Sequence, residues 1–453
     1  MAQRTSLHGQ WSSRLVFILA VTGSAVGLGN FWRFPYIAGE NGGGAFVLVY
    51  LACVFAIALP IMIAEVLLGR RGRRNPITTM RVLGEEEAGQ PGWRIVGILG
   101  ICAGLLILSF YSVIAGWAFA YALKAASGAF VALDSRSVAA LFHLHTRSWI
   151  VLGAWHTAFM VMTVAVVARG VERGLERAVQ VIMPLLLVLI LVLVGHAIHT
   201  GTFLRGAAFV LRPDFAALTP EGALIALGHA FFSLSLGMGV LMAYGAYLPQ
   251  DTSIGGTTII VALADTAIGL LAALAVFPIV FSHGINPAEG PGLAFETLPL
   301  AFSEMRAGVF TATVFFVLLT MAAWTAAIGL LEPAVAWLCE TREMTRPRAA
   351  IGVGTVVWLV GFLTIFSFNL LQHLRFWRGT LYANLDYFAI NILLPISGLA
   401  ITLFAGWVMC DNSRVQELES PSGYRLWRFL TRFVAPVGVT LLLINAGAQL
   451  LRH

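Results

Sequence analysis

Two stretches decide how this chain is read: Gly23-Ser-Ala-Val-Gly27-Leu-Gly29-Asn30 and Ser233-Leu-Ser235-Leu-Gly237-Met238-Gly239. Each interrupts an apolar run of the length needed to cross a bilayer, about 20 residues. Glycine in a helix interior costs about 1 kcal/mol relative to alanine, so three glycines within seven residues of the first stretch favour local unwinding. Close approach of neighbouring helices on small residues is the alternative. Position weighs between the two: the interrupted segments are the first and the sixth, corresponding places in two halves of five. Paired interruptions of this kind point to a transporter site near the bilayer midplane.

Outward from these stretches the chain is apolar nearly throughout. Its 453 residues are 59% hydrophobic and 11% charged, with a mean hydropathy of +0.86, whereas soluble domains carry about 25% charged residues. An all-α polytopic membrane protein follows, with the lipid bilayer as its solvent. Eleven spans are expected, at 13–38, 42–69, 92–127, 147–168, 175–199, 221–246, 255–283, 307–338, 347–370, 379–409 and 426–451. The first is a retained helix rather than a signal peptide, since no small-residue cleavage site follows it. The connection 200–220 reads as an external loop. The stretch 284–306, with Pro287, Gly290, Pro291 and Gly292, reads as a loop carrying a short helix that dips toward the pathway like a lid.

Arginines such as Arg70, Arg71, Arg73, Arg74, Arg169, Arg173, Arg342 and Arg346 fall between hydrophobic runs. The net charge of +6 is therefore no sign of a nucleic-acid partner. The positive-inside rule places the N-terminus in the cytoplasm of a cell (inner) membrane protein and His453, after eleven crossings, outside. Cys53, Cys102, Cys339 and Cys410 lack metal-ligand or disulfide spacing and read as small buried residues. No nucleophile–base–orienter set marks an enzyme.

Unwound backbone at membrane depth must find partners or line a wet cavity. Freed carbonyls near Ala25, Val26, Phe232 and Ser233 suit an alkali cation, and amides at Leu28 and Gly29 open a half-helix whose positive end suits a carboxylate. Asn30, Ser233 and Thr325 add neutral oxygens. Embedded charges are few and mark function or structural pairing. Asp265 is deepest and reads as a cation ligand or a hydrogen-bonded carboxyl. Glu65 and Glu332 read either as functional or as partners of loop arginines.

These residues resemble the neurotransmitter:sodium symporter family, bacterial amino-acid branch. The likeness runs through Gly23–Pro35, Glu40-Asn-Gly-Gly-Gly-Ala-Phe46, Tyr50, Tyr111, Phe231–Gly237, Thr297-Leu-Pro299 and Leu331-Glu-Pro333. It implies two inverted five-helix repeats, at 13–199 and 221–409, with discontinuous helices 1 and 6 and an accessory helix at 426–451. One or two sodium ions are implied. The first would use Ala25, Asn30, Ser233, Asp265 and the substrate carboxylate; the second, Gly23, Val26, Ala322 and Thr325. The carboxylate would meet Leu28, Gly29 and Tyr111, and the amino group Ala25, Phe232, Ser233 and Ser235. Ile107, Phe232, Met238, Ala326, Gly329 and Leu330 would shape the side-chain pocket. Arg33 with Asp386 resembles an outer gate; Trp11 with His8 and Glu340 resembles an inner one.

Departures sharpen the expectation. Ala326 stands where a hydroxyl is usual in the second sodium site, His8 where an arginine is usual, and His229 where a glutamine is usual. His229 reads as a titrating group near Arg33 or as a neutral histidine in a structural hydrogen bond. Gly27 replaces the aspartate of amine carriers, so the substrate brings its own carboxylate. Asp265 supplies the charge that chloride-dependent relatives take from the anion, so no chloride requirement is expected. Met238 opposite small Ala326 and Gly329 suggests a roomy apolar pocket. The expected function is sodium-coupled symport of small hydrophobic or aromatic L-amino acids. A transport-inactive amino-acid receptor or sensor and a proton-coupled transporter are the alternatives. Oligomeric state is not legible here.

Overall fold

The structure, a computed structural model, describes residues 4–199, 201–283, 293–418 and 421–451. It is helical throughout, with two isolated bridges and no strand among these residues. Among the described residues nine helices are long and apolar enough to cross a membrane, from Gly44–Gly72 to Gly423–Leu450, and Arg14–Ala25 with Gly29–Glu40 passes the same test as a pair bent by 54°. The expected sixth span is split into Pro220–Ser233 and Val240–Ala246. Span starts follow from their caps: Ser13, Ser148, Thr219, Ser253 and Thr380 each accept a first-turn amide with a side-chain oxygen.

The eighth span, Gly308–Arg342, runs four residues past its expected end at 338 and carries Glu340 with it. Four helices that do not cross were not anticipated: Pro76–Ala88, Ser135–Arg147, Phe203–Leu211 and Asp411–Leu418. Phe203–Leu211 lies in what the sequence presents as a loop. The expected short helix is found at Thr297–Glu304, while residues 284–292 of the lid, and His453, lie outside the described residues. Cys102 and Cys410 are exposed, contrary to expectation; Cys102 simply faces outward on a spanning helix, which lipid tolerates.

Burial sorts the spans. In their most apolar windows the third and eighth are 72% and 83% buried, the fifth and eleventh 33% and 28%, so the first pair forms the centre and the second faces lipid. The third packs along the eighth and the fourth along the ninth. Other pairings come in couples five spans apart: third–fourth with eighth–ninth, second–sixth with seventh–first, fifth–seventh with tenth–second, fifth–eighth with tenth–third. That is the contact pattern of two five-span halves built alike.

The second half-helix of the broken sixth span meets the second span backbone to backbone. A Cβ at Gly69 would stand 2.0 Å from the Met242 carbonyl oxygen, and one at Gly245 2.6 Å from that of Val66. Backbone cannot yield as a side-chain tip can, and overpacking costs about 1–3 kcal/mol, occasionally more. Gly69→Ala is therefore expected to lower the melting temperature of purified protein clearly. Gly195→Ala, whose Cβ would meet nothing within 4 Å inside the Arg177–Ile198 helix, serves as the control whose melting temperature does not fall, since alanine there is the better helix former. Equal melting curves for the two variants would refute this account of the contact.

Candidate functional site

Both breaks open toward one point in the bundle. In the first, helix stops at Ala25, Val26 turns extended (ψ 105°), and a π-turn Gly29–Arg33 restarts the chain. In the second, Ser235, Gly237 and Gly239 have φ of 53°, 72° and 74°. Three left-handed residues in five cannot continue an α-helix. The Ser235 hydroxyl donates to the Ser24 carbonyl at 2.9 Å, joining break to break. The Gly237 amide, freed from helix, donates to Glu65 at 2.5 Å. Glu65 thus pairs with the sixth-span backbone and not with a loop arginine, because it is fully buried beside an orphaned donor.

Next to the breaks, Asn30, Ser233 and Asp265 are all buried and tied together. Asn30 Nδ2 donates to Asp265 Oδ1 at 2.8 Å and the Ser233 hydroxyl to Asp265 Oδ2 at 2.7 Å. Tyr50 Oη lies 3.4 Å from Ser233 Oγ, and the Gly27 amide donates to Asn30 Oδ1 at 3.2 Å. A buried carboxylate among neutral oxygens suits a small hard cation. It does not suit a soft metal, and no cluster of three His, Cys, Asp or Glu residues exists among the described residues. On the other side of the first break, a Cβ at Gly23 would stand 3.4 Å from Thr325 Cβ, and Thr325 lies one turn beyond Ala322, whose carbonyl accepts its hydroxyl at 3.0 Å. Residues expected for the second cation, with Val26 at the break itself, are therefore brought together.

The Leu28 amide donates to Tyr111 Oη at 3.0 Å. A Cβ at Gly27 would stand 2.5 Å from that hydroxyl oxygen, so any larger residue there must displace Tyr111. Between the breaks lies a cavity of about 20 Å³ lined by Ala25, Gly29, Ile107, Phe232, Met238 and Leu330, with Tyr111, Ser235 and Ala326 completing it. That is room for about one water, so the pocket is not roomy in this conformation. Ser24 and Gly27 also line it and were not singled out as contacts; both sit inside the quoted first-span motif. Ser233 turns its hydroxyl to Asp265 rather than to the cavity. Gly329 does not line the cavity either. Its missing Cβ lets the eighth span close on Ser24 Cβ, 2.8 Å from where one would stand.

The face opposite the N-terminus opens into an aromatic cleft of about 490 Å³, with Phe232 and Tyr111 in the partition between cleft and cavity. Arg33 Nη1 lies 3.7 Å from Asp386 Oδ1, and its guanidinium 5.2 Å from the Phe232 ring centre. The N-terminal face is shut. Buried Trp11 donates its indole N–H to the Tyr244 carbonyl at 3.1 Å and its amide to that of Tyr247 at 3.0 Å. His8 Nε2 is 3.1 Å from Glu340 Oε1, and Glu340 also accepts two bonds from Asn75, at 2.8 and 2.7 Å. Asn75 went unread in the sequence because nothing in its neighbourhood marks it. Glu332 pairs with Arg346 and accepts the Tyr247 hydroxyl at 2.8 Å, the structural pairing. His229 stacks on Phe34 at 5.6 Å, and neither ring nitrogen has a hydrogen-bond partner among the described residues. The expected structural hydrogen bond is therefore not formed.

Trp11 holds this face shut through its bonds to Tyr244 and Tyr247. Truncating a buried tryptophan removes about 3–5 kcal/mol, here from the closed arrangement. Trp11→Ala is expected to shift the bundle toward opening of its N-terminal face. Spin labels on exposed Leu7 and Thr341 should then report longer distances, and an unchanged distribution would refute the assignment.

Comparison with known proteins gives a consistent result. A model of the sodium:neurotransmitter symporter family matches residues 8–132 and 138–451. The sodium-dependent transporter YhdH of Bacillus subtilis (strain 168) is 36% identical over 441 residues, covering 96% of this chain and 97% of the relative. The human sodium-dependent neutral amino acid transporter SLC6A17 is 23% identical over 551 residues, covering 97% and 73%. The crystal structure of MhsT in complex with L-phenylalanine superposes with a TM-score of 0.89 at 38% identity, covering 97% of this chain and 99% of that one.

Proposed function

The chain belongs to the sodium:neurotransmitter symporter family, a family of membrane transporters and not of enzymes, and from that premise we propose that it carries a zwitterionic amino acid together with sodium by alternating access. The observation that carries the reading is the pairing, at one helix break, of the Leu28 amide and Tyr111 hydroxyl with the Asn30–Ser233–Asp265 cluster. The amide end of the restarted helix suits a carboxylate; the acidic cluster suits the cation beside it. Each stabilises the other across a few ångströms of low dielectric, so neither binds well alone. That mutual dependence is what couples their movement.

In this reading the first sodium takes oxygens of Ala25, Asn30, Ser233 and Asp265, and the second those of Gly23, Val26, Ala322 and Thr325, without the hydroxyl that Ala326 lacks. Asp265 makes chloride unnecessary. The closed N-terminal face and the cleft opposite it correspond to a conformation reached from outside, given the arginine excess at the cytoplasmic ends. The repeats fall at 13–199 and 221–409, and 426–451 stands outside them. Ile107, Phe232, Met238 and Leu330 make the pocket wall apolar, which favours hydrophobic or aromatic L-amino acids; the L-phenylalanine in MhsT supports that choice. A ligand shifts the conformations only by its differential affinity for them, and a cavity this small requires Phe232 and Met238 to move aside on binding.

Uptake of labelled phenylalanine into proteoliposomes tests the proposal. Accumulation under an inward sodium gradient, in chloride or gluconate alike, is expected. Accumulation under a pH gradient alone would replace sodium by protons. Saturable binding without accumulation would make the chain a receptor.

A further inference from the structure

Away from the transport pathway, a cleft of about 740 Å³ opens between the Pro76–Ala88 helix and the third, eighth and ninth spans. Three arginines crown it: Arg81, Arg94 and Arg342. All three are exposed, and none has an ion-pair or hydrogen-bond partner among the described residues. No carboxylate lines the cleft. This sets it apart from the neighbouring depression of Arg4, Arg71 and Arg73, where Glu86 and Glu417 supply the counter-charge.

Below the arginines the wall turns apolar. From Arg94 the third span presents Ile98, Cys102 and Leu105, and eleven residues at 1.5 Å each carry it about 16 Å inward. That is half the thickness of a hydrocarbon core of about 30 Å. Val353 and Val356 of the ninth span form the opposite wall. Gly352, one turn before Val356 on that wall, leaves the cleft wide there, since a Cβ would meet nothing within 4 Å.

We propose that this cleft binds one anionic phospholipid, its phosphate held by Arg81, Arg94 and Arg342 and an acyl chain lying along the third and ninth spans. Guanidinium groups grip phosphate oxygens with paired N–H donors, and basic pockets between membrane helices take anionic headgroups. The depth matches one leaflet, and the absence of a carboxylate leaves the positive charge for the ligand. Only the naming of the leaflet, cytoplasmic, rests on the orientation argued above; binding itself depends on neither orientation nor transport.

Native mass spectrometry of the purified, delipidated full chain in detergent, offered equal phosphatidylglycerol and phosphatidylcholine, provides the test. One phosphatidylglycerol should be retained about tenfold over phosphatidylcholine. The variant R81Q/R94Q/R342Q should lose that preference. The variant R169Q/R173Q/R177Q, which removes the same charge from arginines outside the cleft, should keep it. Gly352→Leu, which narrows the cleft from its ninth-span wall and leaves the arginines, should weaken retention of both lipids, and excess glycerol phosphate should not displace the bound lipid. Equal retention of the two lipids, the same loss in both arginine variants, retention unaffected by Gly352→Leu, or displacement by glycerol phosphate would each overturn the proposal.

Discussion

Asp265→Asn raises the sodium concentration needed for half-maximal amino-acid binding by about 30-fold or more and makes binding respond to chloride. The carboxylate is fully buried and receives Asn30 Nδ2 on one oxygen and the Ser233 hydroxyl on the other. Removing one member of a buried, hydrogen-bonded charge pair costs about 2–5 kcal/mol, and the lower figure is already about 30-fold in affinity. An amide in its place keeps its oxygen for Asn30 Nδ2 and can donate to Ser233 Oγ, since a hydroxyl also accepts, so the change removes the charge and leaves the shape. The missing negative charge leaves the cation unbalanced, and a chloride ion can supply it. Sodium titrations of phenylalanine binding in chloride and in gluconate check this. Superimposable curves for wild type and variant would remove Asp265 from the cation site.

Much of this arrangement was legible in the sequence because it is written in residue types with few alternative uses. Glycines clustered within apolar runs at 23–29 and 237–239 serve either unwinding or close helix approach, and their matching places in the first and sixth spans favour unwinding; both breaks are found where they stand. Asp265 announced itself as a carboxylate at membrane depth. What escaped was set by neighbours distant in the chain. Glu65 reads in the sequence either as functional or as a partner of loop arginines, because its actual partner, the Gly237 amide, becomes available only once the sixth span unwinds. Asn75 became a partner of Glu340 only when the eighth span ran on to Arg342. Gly329 enters the pocket list through the family resemblance, yet its small size serves contact with Ser24. Pocket volume was misjudged for the same reason: small residues were taken to leave space, whereas here they let backbones approach.

That last point can be tested at Gly27, where a single added carbon decides between approach and space. A Cβ there would lie 2.5 Å from Tyr111 Oη and 3.2 Å from Ala326 Cβ, against 3.4–4 Å for ordinary contact. Tyr111 is buried, and its hydroxyl is held by the Leu28 amide, so the ring must give way. Gly27→Ala therefore displaces the hydroxyl and misaligns the amide at once, the two groups proposed to hold the carboxylate. Hydrogen bonds to a charged group are worth about 1.5–3 kcal/mol each, so affinity for phenylalanine should fall about 100-fold or more, with a lower melting temperature from the overlap. Tyr111→Phe alone should weaken binding by about tenfold or more, from the one lost contact, and lower the melting temperature modestly, since the buried Leu28 amide loses its acceptor. Combining the two should bring stability back to that of Tyr111→Phe without restoring affinity, because the obstacle is the hydroxyl itself while the carboxylate still lacks it. Residues in contact are expected to couple in this way. If the double variant melts as low as Gly27→Ala, the strain lies against Ala326 instead. Should Gly27→Ala bind phenylalanine as wild type does, the carboxylate is held elsewhere.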